Sequence, residues 1–255
     1  MVADAKSEAV TGILPSPLLT ARNVSHSYGQ IKVVEGVSLE VMAGESVAII
    51  SPSGSGKSTL LRLLLRLEKP ANGETTVLVP PSDIGAVFQE DSLLPWLNVL
   101  ENLSLLNRLH KKPVDEQQCK KLLASYGLAE FQDYYPSQLS GGMKQKVALC
   151  RLLLYAPRFY VLDESMANMD DLSRFALCDA LHAQVAENNS SILFVTHNLT
   201  DALHLADRVL IGTTRPLRIA KEFKNPLPRR RDFHVRFSRE FQEAVDQLRV
   251  WIGQR

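Results

Sequence analysis

Ser51-Pro52-Ser53-Gly54-Ser55-Gly56-Lys57-Ser58-Thr59 is the stretch whose reading decides the fold. It follows the apolar run Val47-Ala48-Ile49-Ile50 and opens a helix at Thr59, so strand, glycine-rich loop and helix come in the order that a phosphate-binding loop needs. Small residues let backbone N–H groups wrap a β-phosphate, and the helix N-terminus adds a favourable dipole. Lys57 neutralises β/γ charge, and Ser58 offers its hydroxyl to Mg2+. One position departs from the G-x-x-x-x-G-K-[ST] pattern: Ser51 stands at the first glycine. If that position requires a positive φ, the Cβ costs about 1 kcal/mol. Gly54, Gly56, Lys57 and Ser58 remain, so phosphate binding is expected to persist.

A phosphate loop wants carboxylates nearby. Phe159-Tyr160-Val161-Leu162 reads as a buried strand ending in Asp163-Glu164, which puts two acids at the carboxyl edge of the same sheet. Asp163 suits a water-bridged Mg2+, and Glu164 suits a general base that polarises an attacking water. Further strands are expected at Leu18–Val24, Val37–Met42, Glu45–Ser51, Thr75–Val79, Ile84–Gln89, Ser191–Thr196 and Arg208–Ile211. A helix is expected over Thr59–Leu67, before the turn cluster Lys69-Pro70-Ala71-Asn72-Gly73. From Leu93 to about Leu139 the periodicity is helical, which reads as an inserted helical subdomain. Strands alternating with helices predict an α/β fold with a mainly parallel sheet covered on both faces.

Composition narrows the classes. The 255 residues are 45% apolar and 22% charged, with 29 Lys/Arg against 28 Asp/Glu, so no bulk field points to nucleic acid or an anionic membrane as the primary partner. The charge is unevenly spread: from Arg215 onward eleven Lys/Arg face five Asp/Glu, a net +6. Cys119, Cys150 and Cys178 lack metal-ligand spacing and read as small buried hydrophobes in a reducing compartment. No run approaches the roughly 20 apolar residues of a membrane span, and Met1 to Gly12 lacks the apolar core of a secretory signal. A protein on the cytoplasmic side is expected.

Leu139-Ser140-Gly141-Gly142-Met143-Lys144-Gln145-Lys146 resembles the signature motif of the ATP-binding-cassette family, followed at the family's spacing by the carboxylate strand. Ser140, Gly141 and Gly142 open a helix, Met143 to Leu154, so its free N–H groups form a phosphate receptor. The resemblance implies that this receptor faces the nucleotide of a second subunit, another copy or a related ATPase, in a head-to-tail dimer with two composite ATP sites. It implies roles for other residues. Tyr28 stacks on adenine, and Gln89 contacts Mg2+ and the attacking water. Asp170 lies on the loop that communicates across the dimer, and His197 senses the γ-phosphate. The fold it implies is a P-loop NTPase core with an antiparallel β subdomain and an inserted helical subdomain. The resemblance spans about residues 18–222: a core of 18–90 and 158–222 with a helical insert of 91–157, after a leader of 1–17 and before a linker and helix of 223–255. Ser165, Asn168-Met169 and Asn198 depart from the family's usual residues without removing a catalytic group.

The run from Phe88 to Asn102, with Pro95-Trp96 at its centre, together with Met143, is similar to the importer branch for nitrate, taurine, aliphatic sulfonates, bicarbonate and pyrimidine precursors. That implies a groove for an integral membrane permease and, indirectly, an extracytoplasmic solute-binding protein. The other reading of Pro95 and Trp96 is a helix cap and core filler. Beyond Phe223, Pro226, Pro228 and Arg229-Arg230-Arg231 read as a solvated basic linker, and Phe241, Val245, Leu248 and Ile252 as a final amphipathic helix. Two functions stay open: the energising ATPase of an importer, and a cytosolic ATPase that uses the same clamp as a regulator or assembly factor.

Overall fold

The computed structural model describes residues 16–89 and 93–253. Most of the expected leader, together with Glu90-Asp91-Ser92, lies outside the described residues.

Two sheets form the scaffold. β1 (Pro17–Tyr28) and β2 (Ile31–Met42) make an antiparallel hairpin through Gly29, at φ 59°, and β4 (Asn72–Val77) joins the other edge of β1. The second sheet runs in the order β5 (Ile84–Val87), β6 (Phe159–Asp163), β7 (Ser191–Thr196), β3 (Ser46–Ile50), β8 (Arg208–Gly212), β9 (Ile219–Lys224). All its pairings are parallel except β8 with β9.

Every residue of β3, β6 and β7 is buried, because both faces of these strands are covered. Their period of two sorts the core into halves. Val47, Ile49, Phe159, Val161, Leu193 and Val195 pack toward the antiparallel sheet and α1 (Lys57–Leu64). Ala48, Ile50, Tyr160, Leu162, Ile192 and Phe194 pack toward the remaining helices. All three cysteines are buried, as expected.

The helical segment is several elements: α2 (Val99–Leu109), α3 (Glu116–Ser125) and α4 (Gly141–Tyr155), joined by turns. Asn98 and Glu101 form a capping box at the start of α2. The fully buried Asn102 ties down the segment before it: its amide donates to the carbonyls of Leu94, Leu97 and Asn98, and its carbonyl accepts from Leu94 N–H. α5 (Asp171–Glu187) and α6 (Leu199–Leu205) follow β6 and β7, and α7 (Arg239–Gly253) closes the chain.

Several expectations change. β4 starts at Asn72, inside the expected turn cluster, and ends at Val77 rather than Val79, and α4 starts at Gly141 rather than Met143. α1 begins at Lys57, not Thr59, and stops at Leu64, not Leu67, because Arg66 turns to φ 59° and Leu67 N–H returns to the Arg62 carbonyl. β1 and β2 are longer than their apolar cores suggested, since the hairpin also pairs polar residues such as Ser27 with Lys32. β9 is an edge strand mostly exposed on its outer face, so it lacks an apolar run.

The basic linker is solvated only in part: Pro226, Pro228, Arg229 and Arg230 are exposed, but Arg231 is buried. Arg231 buries its side chain and donates from Nη1 to the carbonyls of Leu203, His204 and Ala206 at 3.0, 3.1 and 2.7 Å. These are the open carbonyls at the end of α6, and a buried cation suits that pole of the helix. Asn225 donates to two of the same carbonyls, and Arg229 donates to the Gly44 carbonyl. Arg236 is buried too, over the Phe175 ring.

Candidate functional site

The loop between β3 and α1 adopts the conformation its glycines anticipate. Gly54 and Gly56 have φ of 72° and 115°, and a Cβ on Gly56 would sit 2.7 Å from Val33 Cγ1, so only glycine fits there. Ser51 is not among the residues with positive φ. Its hydroxyl lies 2.6 Å from that of Ser55, inside the loop. The serine at the first position therefore carries no backbone penalty and adds a buried contact.

Lys57 is buried and fully engaged. Its Nζ donates to the Ser51 and Pro52 carbonyls at 2.9 and 3.0 Å and lies 3.0 Å from Glu164 Oε1. The other Glu164 oxygen is 3.4 Å from His197 Nδ1, so three residues from three segments meet at one carboxylate. Glu164 itself is held at φ 45°, a region a non-glycine residue enters at some cost, with its N–H bonded to the Val195 carbonyl.

Asp163, beside it, is 1% exposed, and its Oδ1 has no hydrogen-bond partner among the described residues. Burial pushes its carboxyl above the usual carboxylate range, against a hydrogen bond with Ser58 that lowers it. A buried, unpartnered carboxylate oxygen next to a hydroxyl is an oxygen donor set that fits a hard divalent cation such as Mg2+.

Tyr28, Ser53, Gly54, Gly56, Lys57, Ser58, Thr59, Gln89 and Glu164 line one cleft of about 320 Å³. Ile31, Val33 and Arg215 line it too, and the sequence reading did not single them out. The hairpin register that sets Tyr28 opposite Ile31 was the available signal for the first two. Arg215 had none. The Tyr28 hydroxyl donates to Glu68 at 2.5 Å, and 47% of the residue stays exposed, which leaves its ring open to a planar ligand.

Ser140, Gly141, Gly142 and Asp170 do not line this cleft. Ser140 caps α4 by accepting from Met143 N–H, and Ser140 and Gly141 are exposed. A Cβ on Gly142 would come within 2.7 Å of the Asn168 carbonyl, and Asn168 N–H donates to Gln145. Asp170 caps α5 through Ser173 N–H and lies 3.2 Å from Lys146 Nζ. Those contacts, the Ser173 N–H first, hold its carboxyl well below the usual range. The receptor motif and the 167–170 loop thus form a second surface, fastened together and separate from the cleft.

A parallel α/β core with a phosphate loop, a carboxylate at the end of the neighbouring strand and a helical insert defines a P-loop nucleotide hydrolase of the cassette type. Residues 34–167, just over half of the chain, match the ABC transporter family. The chain belongs to that family. The aliphatic sulfonates import ATP-binding protein SsuB 1 of Pseudomonas aeruginosa strain UCBPP-PA14 is 40% identical over 230 residues, covering 85% of this chain and 90% of that protein. The formylaminopyrimidine import ATP-binding protein ThiZ of Halalkalibacterium halodurans is 38% identical over 232 residues, covering 89% and 92%. The dimeric, post-hydrolysis structure of the ATP-binding cassette MJ0796 bound to ADP and Pi aligns with a TM-score of 0.71 at 26% identity, over 82% of this chain and all of that one. The chain is an ATP-binding, ATP-hydrolysing subunit.

Proposed function

We propose that this chain energises import of a small solute, of the sulfonate, nitrate or pyrimidine type, through a separate integral membrane permease. The observation that carries the reading is the Glu164 carboxylate, held between Lys57 and His197 at the edge of the phosphate loop. The import names of the relatives support the direction of transport.

In this reading the polyphosphate of ATP lies along the loop N–H groups and draws Lys57 Nζ from the Ser51 and Pro52 carbonyls. That exchange also frees Glu164 to accept a proton from the attacking water, while His197 keeps the carboxylate oriented. Ser58, Asp163 and Gln89 would hold Mg2+, which supplies positive charge against the charge developing on the transferred phosphate. Ser140, Gly141, Gly142 and Asp170 serve the nucleotide of a second copy or a related subunit. Tyr28 carries the adenine.

The permease docks on the insert, within residues 91–157. Trp96 is 68% exposed there, against the cap-and-core reading, and Tyr134 and Tyr135 of the same insert are exposed too. Backbone hydrogen bonds from Val99 to Tyr134 and from Leu100 to Gln132 join the two stretches. Among the described residues no helix is long and apolar enough to cross a membrane. The import names of the relatives support work at the cytoplasmic face through the permease, with an extracytoplasmic solute-binding protein delivering the solute.

Glu164→Gln is expected to bind ATP and dimerise while hydrolysing it at least 100-fold more slowly, on the scale of losing a general base. Wild-type turnover in that variant sinks the assigned role. Recovery from membranes with no integral partner sinks the transport reading.

A further inference from the structure

The loop between β8 and β9 closes one side of the nucleotide cleft, and its contacts with the phosphate loop are specific. At its start, a Cβ on Gly212 would lie 3.2 Å from Ser51 Cβ, so the first residue of the phosphate loop sits against it. At its end, Leu217 N–H donates to the Val33 carbonyl at 2.8 Å, Glu35 N–H donates to the Leu217 carbonyl at 3.0 Å, and Arg218 pairs with Glu35 at 2.7 Å. Val33 is itself a wall of the cleft. Between these anchors Arg215 reaches the middle of the phosphate loop and donates from Nε and Nη2 to the Gly54 carbonyl at 3.1 and 2.6 Å. Arg215 is exposed, lines the cleft, and has no partner for Nη1 among the described residues.

The charge of the cleft adds the second argument. Its lining holds three side chains of the charged types: Lys57, Glu164 and Arg215. Lys57 and Glu164 are paired with each other at 3.0 Å. Arg215 therefore supplies the net positive charge of a cleft built for a polyanion. A guanidinium fixed by two bonds to one carbonyl still presents donors in a set direction, at little entropic cost.

We propose that Arg215 is a nucleotide-binding residue of this chain, a guanidinium that braces the phosphate loop through the Gly54 carbonyl and offers its free donors and charge to the polyphosphate. This rests on the reading of the cleft as the ATP site.

The test is binding of fluorescent MANT-ADP, and steady-state ATP hydrolysis, in wild type, Arg215→Ala, Arg215→Lys and Arg218→Ala. Arg215→Ala is expected to weaken MANT-ADP binding about tenfold, the size of one charge-assisted contact, and to raise KM for ATP more than it lowers kcat. Arg215→Lys is expected to recover part of the affinity, because the charge returns without the fork. Arg218→Ala disturbs the same loop from the other side and is expected to bind like wild type. Binding by Arg215→Ala within twofold of wild type, a loss in kcat at unchanged KM, or an equal loss in Arg218→Ala each overturns the proposal. Failure of the wild-type protein to bind MANT-ADP overturns instead the reading of the cleft.

Discussion

Ser51 shows how a single side chain answers a question that its backbone poses. Its φ is not positive, so glycine there gains no steric relief, and its hydroxyl pairs with Ser55 in a buried loop. Replacing it with the family's glycine leaves the Ser55 hydroxyl short of a partner and adds backbone entropy to the unfolded chain. Ser51→Gly is therefore expected to lose about 1–2 kcal/mol, seen as a fall of a few degrees in Tm by calorimetry. A rise in Tm would mean that the serine is strained after all. Glu164 presents the opposite case. Its φ of 45° places the carboxylate between Lys57 and His197 at a conformational cost that the surrounding sheet imposes.

At the scale of elements, the end of α6 depends on residues far along the chain. Arg231 satisfies three of its carbonyls and Asn225 shares two of them. Arg231→Ala is expected to cost about 2–4 kcal/mol, because buried carbonyls and Asp207 lose their donor together. Arg231→Lys restores the charge but not the fork, so it recovers only part in a urea unfolding series. This cap also explains which parts of the molecule were legible in the sequence. The phosphate loop, Asp163-Glu164 and the strand before His197 are local patterns, where a few adjacent residues carry the chemistry. The roles expected of Tyr28, Gln89, Ser140 and Asp170 come only from the family resemblance, not from a local pattern of their own. Arg231 and Arg215 look like any basic residues of a polar tail, since the carbonyls they serve lie about 25 and 161 residues away in the chain. β9 escaped for the same reason: its strand character comes from pairing with β8, not from an apolar pattern of its own.

At the scale of the whole molecule, the tail joins the helical half of the core. Phe241, Ala244, Val245 and Leu248 of α7 are buried in the same cluster as α2, α4, α5 and α6. The contact between tail and core includes a histidine that is held neutral. His182 accepts the Arg231 N–H at Nε2, and burial, aided by the Arg231 charge, lowers its pKa to about 4. Between pH 4 and the ordinary 6.5 the unfolded chain binds a proton at position 182 that the folded chain refuses, so stability falls as pH falls through that window. Urea midpoints are expected to drop more steeply from pH 6.5 to 4 in wild type than in His182→Gln, and parallel curves would contradict this.

One contact has consequences for timing as well as for shape. Gly142 lies against the Asn168 carbonyl and Gln145 holds the Asn168 N–H, so the receptor motif and the 167–170 loop are in direct contact. In the proposed head-to-tail pair these two segments would attend to the partner's nucleotide and to the path between the sites. A direct contact between them is what that proposal needs for the two pockets to act as a single cooperative unit rather than as two independent clocks.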